Sequence, residues 1–311
     1  MKNFRYSTYF KESFNIILKH KRFMLFLIPL FGFVFNACED MVSNVSVPEY
    51  SPKLVVFSYI SPSDSIITVK VKKSSPVFGT NTNNPETITV TDANVVISNG
   101  LNSKTIPYVS NYYNDFEGAY IISQRDFAIY AGQSYKLEVS SPGGFYVTSS
   151  CFVPAIPETE VAVDHVDSFD YGGIWVFRAN FHFKDIPEIE NYWRLSASRK
   201  AINPSTLQME YYDVKFDIGD YLVSDAGKDG SNISYLTNEF EVINDGNPNF
   251  IIDLFAIDYQ YYIFHKEADL AGDDYGNPFS EPVVMISNIN GGLGLFSAYN
   301  KRTYSFNLSK K

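Results

Sequence analysis

Few side chains in this sequence stand where chemistry would need them, and Cys38 has the clearest setting. Six cations (Lys2, Arg5, Lys11, Lys19, Lys21, Arg22) lead into thirteen uncharged residues, Phe23 to Phe35, and Ala37 directly precedes the cysteine. A membrane-crossing helix needs roughly 20 apolar residues, so this run is too short to span, and Pro29 interrupts it. A basic lead, a short apolar stretch and a small residue describe an export signal over 1–37. A thiol at its end is placed to receive a diacylglycerol, making Cys38 the first residue of an anchored chain. Each buried methylene of such an anchor contributes about 0.8 kcal/mol, and two or three chains hold firmly.

Other reactive groups are sparse. Cys151 lies in FYVTSSCFVP, which alternates like a strand and has no cation nearby to activate a thiol; core packing is expected. His165 and His182 flank Gly172-Gly173 and belong on neighbouring strands, but no third ligand completes a zinc set, so no metal is assigned. Asp269, Asp273, Asp274 and Glu281 form an acidic loop without the ligand order of a calcium-binding EF-hand. Asp225 to Gly230, DAGKDG, reads as a hairpin tip before it reads as an ion site. No G-x-S-x-G elbow, phosphate-binding G-x-x-x-x-G-K-[ST] or H-E-x-x-H occurs, and Gly291-Gly292-Leu293-Gly294 lacks the following helix of a dinucleotide site. No catalytic residue and no cofactor is expected. Among 26 Phe and 23 Tyr, the loop holding Tyr112, Tyr113 and Phe116 is the best candidate for ligand contact.

Charge narrows the partners. Six of 25 Lys and Arg, and one of 35 Asp and Glu, precede Cys38, leaving 19 positive against 34 negative, a net −15. Such a body repels phosphate backbones, so nucleic acid is not expected, and it does not lie flat on an anionic membrane. Contact with the membrane should run through the anchor alone.

The elements that would carry these groups are mostly strands. Residues 38–52 read as a polar linker. From Lys53, short alternating runs (KLVVFSYI, SIITVKVKK, DANVVISN, KTIPYV, SYKLEVSS, FYVTSSCFVP) are separated by turn signals, which suggests an immunoglobulin-like β-sandwich over 53–155. Pro154 and Pro157 bracket a boundary. A second β-rich domain is expected over 158–311, with longer strands such as LQMEYYDVKFDI. It carries one helix near 258–271, with Asp258 as N-cap, Gly272 as stop, and Tyr259, Ile263 and Leu270 sharing a face with Phe264, Ala268 and Ala271 beside it. Asn290-Gly291 signals a tight hairpin between PVVMISN and LGLFSAY, with RTYSFNL as a last strand. Gly294 within the second strand predicts a bulge or a close backbone approach.

Several stretches together resemble a known family. They are PEYSPKLVVFSYISPSDSIITVKVKKSSPVFG, VTDANVVISNG, SYKLEVSSPGGFYVTSSCFVP and, most of all, GNPFSEPVVMISNINGGLGLFSAY. The chain resembles a Bacteroidota lipoprotein family defined by a domain of unknown function, number 4249, over essentially all of 38–311. Phe35 and Asn36, where the usual lipoprotein signal has Leu and a small residue, resemble the looser signals of that phylum. Glu39-Asp40 resembles the acidic tag of its surface-exported lipoproteins. The resemblance implies an outer-membrane lipid anchor, at the cell surface or on the periplasmic face. It also implies partnership with a TonB-dependent nutrient transporter, and no catalytic residues. An envelope hydrolase acting on glycan or peptide and a structural adhesion module are the alternatives.

Overall fold

Leu54–Ile60 shows how the sheets are specified. Leu54, Val56, Ser58 and Ile60 are buried, while Val55, Phe57 and Tyr59 are part-exposed on the other side, as a period of two requires. The computed structural model describes residues 51–75, 88–110, 118–171, 174–203, 205–219, 221–241, 248–273 and 285–309. Cys38, the signal, most of the linker, and Tyr112, Tyr113 and Phe116 lie outside them. Ser51–Lys311 forms one compact unit.

The described strands, in chain order, begin with β1 (Leu54–Ile60), β2 (Ile66–Lys73), β3 (Asn94–Ser98), β4 (Ser103–Ile106), β5 (Tyr108–Val109) and β6 (Ala119–Ser123). Next come β7 (Ser134–Ser140), β8 (Tyr146–Phe152), β9 (Val161–Tyr171), β10 (Ile174–Lys184), β11 (Tyr192–Ile202) and β12 (Met209–Val214). Last are β13 (Phe216–Ile218), β14 (Leu222–Ser224), β15 (Asn232–Thr237), β16 (Phe240–Glu241), β17 (Phe250–Ile257) and β18 (Leu293–Phe306). The helix α1 (Tyr259–Asp273) lies between β17 and β18. The protein is mainly β and sandwich-like, as the alternation predicts.

A nine-stranded sheet runs β12-β11-β17-β18-β1-β2-β6-β5, with β14 also on β11. Two smaller sheets cover one of its faces. The four-stranded sheet β4-β3-β7-β8 shares one apolar core with β1, β2, β6 and the Phe296–Ala298 part of β18. The five-stranded sheet, β13-β15-β10-β16 with β9 on β10, shares a second core with β11 and β17. The even-numbered residues of β18 serve both cores. Phe296 and Ala298 enter the first, and Tyr304 and Phe306 pack against the second. Between them, Asn300 Nδ2 donates to the Pro154 carbonyl (3.2 Å) and Arg302 Nη1 to that of Pro157 (3.0 Å). The segment linking the halves is thus held on β18.

Three sequence expectations over 258–311 change. The Asn290-Gly291 hairpin is absent: 285–289 is not a strand, and only Gly291 of the pair has positive φ (82°). Asn290 instead exchanges backbone hydrogen bonds with Thr148 of β8, at 2.8 and 3.2 Å. Asn288 clasps Phe296 through both its N–H (2.9 Å) and its carbonyl (2.6 Å). The chain therefore crosses from the small sheet to the large one, where β18 pairs with β1 in parallel. LGLFSAY and RTYSF also form one 14-residue strand rather than two. The close approach at Gly294 is present: its φ is +111°, and a Cβ would lie 2.1 Å from the Val56 carbonyl oxygen.

The helix is correction three. Asp258 does cap it, accepting from Tyr261 N–H at 2.8 Å. However, the helix passes through Gly272, and Tyr259 and Leu270 are half exposed, at 50% and 53%. Its inner face is Tyr261, Phe264 and His265, whose rings meet Phe57 and Tyr59. Asp258 also accepts from Ala298 N–H (3.0 Å), which pins the first turn to β18 and so selects the face that turns inward.

Candidate functional site

The loop Lys215 to Tyr221 opens a gap in the edge of the large sheet. LQMEYYDVKFDI, expected as one strand, divides at Lys215. β12 pairs with the second half of β11, β13 leaves to pair with β15 in the five-stranded sheet, and β14 returns to Tyr192–Arg194 of β11. Gly219 makes the return, with φ +106° and a position where a Cβ would meet the Tyr235 ring at 2.4 Å. Between the end of β12 and the start of β14 lies a cleft of about 510 Å³, bordered by Arg194, Ser196, Asp213, Lys215 and Tyr221. A second cleft of about 360 Å³ adjoins it at Gly219, bordered by Lys228, Ser234, Tyr235, Tyr262 and Lys266.

Arg194 is the central group. Trp193, Leu195 and Ala197 of β11 face the second core, so Arg194 and Ser196 face the helix side. Arg194 Nη1 donates to the Tyr261 hydroxyl, and the guanidinium lies 5.5 Å from the Phe255 ring centroid and 5.7 Å from that of Tyr261. Nε is buried with no partner. No carboxylate pairs with Arg194 among the described residues.

Phenols and an imidazole surround it. Burial pushes the Tyr59 phenol up to about 12, with the neighbouring Tyr261 adding to the shift. Burial, then the positive charge of Arg194, pushes the His265 imidazole down. Tyr59 thus stays protonated and His265 neutral, and the phenol and Nε2 share a hydrogen bond across 3.2 Å. Tyr221 donates to Asp269, and burial followed by that carboxylate raises its phenol. Tyr299 donates to both oxygens of Asp64, at 2.9 and 3.0 Å. These groups hold protons at neutral pH. They share those protons with neighbours within the protein, which leaves the buried Nε of Arg194 as the member of this group without a partner.

The sequence candidates fall elsewhere. Cys151 is buried among the first core, and burial raises its thiol well above the usual range. His182 Nδ1 lies 2.7 Å from Asp164 Oδ1, and β9 and β10 are antiparallel neighbours, with His165 opposite Asn180. Of the acidic loop, Asp269 is engaged by Tyr221, and the side chains of Asp273, Asp274 and Glu281 lie outside the described residues. In the DAGKDG loop, oxygens of Asp225 and Asp229 lie within 4.8 Å of one another and of an Asp185 oxygen. Among the described residues, these three could hold a metal ion. Each already accepts an N–H: Asp185 from the Trp193 indole (2.7 Å) and Gly230 (3.1 Å), Asp225 from Asn191 (2.8 Å) and Asp229 from Glu188 (3.0 Å). They act as staples between two loops. Sequence reasoning missed Arg194, Lys215, Lys228 and Lys266. The only local signal was the alternation of YWRLSA, which places Arg194 away from the core without showing that a helix covers it.

One family model, described as Domain of unknown function (DUF4249), matches residues 42–305. No curated protein matches the chain.

Proposed function

Since the chain belongs to this family of domain of unknown function DUF4249, we propose that it is an outer-membrane lipoprotein, tethered through Cys38, that serves as a binding or accessory component of a TonB-dependent nutrient transporter. The observation that carries the binding role is the pair of adjoining clefts at the open edge of β11, where that strand presents Arg194 and Ser196 and the bend before β14 presents Tyr221. Sites on strands keep their geometry, and a gap in a sheet edge offers concave surface without loosening the core. Tethering is supported by the order of basic lead, apolar run, Ala37 and Cys38. Anchor and clefts together suit a protein that meets solutes at the envelope and hands them to a channel. The test is affinity capture of the full chain from detergent-solubilised outer membranes, with mass spectrometry of what accompanies it. A TonB-dependent transporter enriched with the wild type, and lost with Cys38→Ala, is expected. Capture of no transporter by the lipidated chain would overturn the proposal.

A further inference from the structure

We propose that the paired clefts bind a small oxyanion-bearing solute, a carboxylate or phosphate, with Arg194 as its anchor. This rests on the binding role above and adds the chemistry of the ligand.

Two independent observations carry it. The first is the state of Arg194. A guanidinium offers five N–H donors, and groups removed from water are normally paired. Arg194 places one donor on a neutral phenol, stacks near two rings, and leaves Nε buried and unpartnered. It has no carboxylate partner among the described residues. Ring faces attract a cation but do not satisfy its N–H groups. A carboxylate or phosphate does both, since a guanidinium binds two of its oxygens through parallel hydrogen bonds.

The second observation is an inversion of charge. From Cys38 on the chain has 34 acidic residues against 19 basic. Among the described residues bordering the two clefts this is reversed: Arg194, Lys215 and Lys228 stand against one carboxylate, Asp213, with Asp269 adjoining through its hydrogen bond from Tyr221. A concave site lined by one sign of charge concentrates ligands of the opposite sign. On so acidic a body a local excess of cations lets an anion approach. Lys215 and Lys228 are exposed at the rims, placed to draw the solute in, while Arg194 is part-buried at the wall.

The test is titration of the folded protein with glutarate and, separately, with inorganic phosphate. It is read on the arginine Nε–Hε cross-peaks of a ¹⁵N-labelled sample, with Arg194→Lys assigning the Arg194 peak by its disappearance. The expected result is a saturable shift of that peak, with a dissociation constant on the order of 1 mM or tighter. Response to glutarate alone identifies an organic acid site, to phosphate alone a phosphate ester site, and to both a general oxyanion site. Lys215→Gln and Lys228→Gln, both at exposed positions, should each weaken binding about threefold. A peak that moves with neither probe, or moves as much with matched sodium chloride, overturns the proposal. So does undiminished affinity in both lysine variants. Failure here with transporter capture intact leaves the accessory role standing. A saturable shift without transporter capture separates the two the other way.

Discussion

At the scale of single residues, Asp258 makes the sharpest prediction. It caps α1 and holds Ala298 of β18 from an almost fully buried position. Burial, partly offset by the two backbone N–H groups, raises its carboxyl to about 7. An unfolded aspartate titrates near about 4, so between these values the folded chain holds a proton that the unfolded chain has released. Its contribution is complete below about pH 4 and is lost as pH rises through about 7. Urea midpoints measured from pH 5 to 8 should fall for the wild type and change less for Asp258→Asn. Parallel curves would show that Asp258 titrates normally. Cys151 predicts an inert thiol: a disulfide reagent should label it only in denaturant, and Cys151→Ala should cost on the order of 1 kcal/mol. Rapid labelling of the native protein would contradict that. Cys151 was readable in advance because one alternating run fixes its face. Arg194 was not, because its neighbours Tyr261 and Tyr221 come from elsewhere in the chain.

At the scale of elements, the crossing from Asn288 to Gly294 joins the small sheet to the large. Gly292 and Gly294 let the backbone pass against Leu54 and Val56, where a Cβ would sit 2.7 and 2.1 Å from their carbonyl oxygens. Gly294→Val should therefore lose more than about 3 kcal/mol or fail to fold, since both φ and space forbid the side chain. A melting temperature equal to the wild type would refute the close approach. Asn288→Ala removes two hydrogen bonds to Phe296 and should cost about 1–3 kcal/mol by denaturant titration. Sequence patterns made the strands and helix legible, including Asp258 as cap and Gly294 as a contact point. They misassigned Asn290-Gly291 because a turn signal is local, whereas the hydrogen bonds of Asn290 go to Thr148. The division of LQMEYYDVKFDI at Lys215 was hidden for the same reason. Its two halves belong to different sheets, and nothing in twelve alternating residues announces the exchange.

At the scale of the whole molecule, β18 makes the first and last strands neighbours. It pairs in parallel with β1 and antiparallel with β17, and its even-numbered residues serve both apolar cores. Pairing of such distant segments carries a large loop-closure cost and is a slow step in folding. It is invisible to any local reading of the sequence. The clefts are a product of this arrangement, since the long sheet ends at β11 and β12, where the chain can leave and return. The proposed role depends on this body being held at a membrane, and that rests on Cys38. The most direct test is mass spectrometry of the mature amino terminus, purified from the membrane fraction of cells that export the chain. A terminus at Cys38 carrying a thioether-linked diacylglycerol is expected. A chain that starts at another residue, or an unmodified Cys38 thiol, would contradict the proposed anchoring.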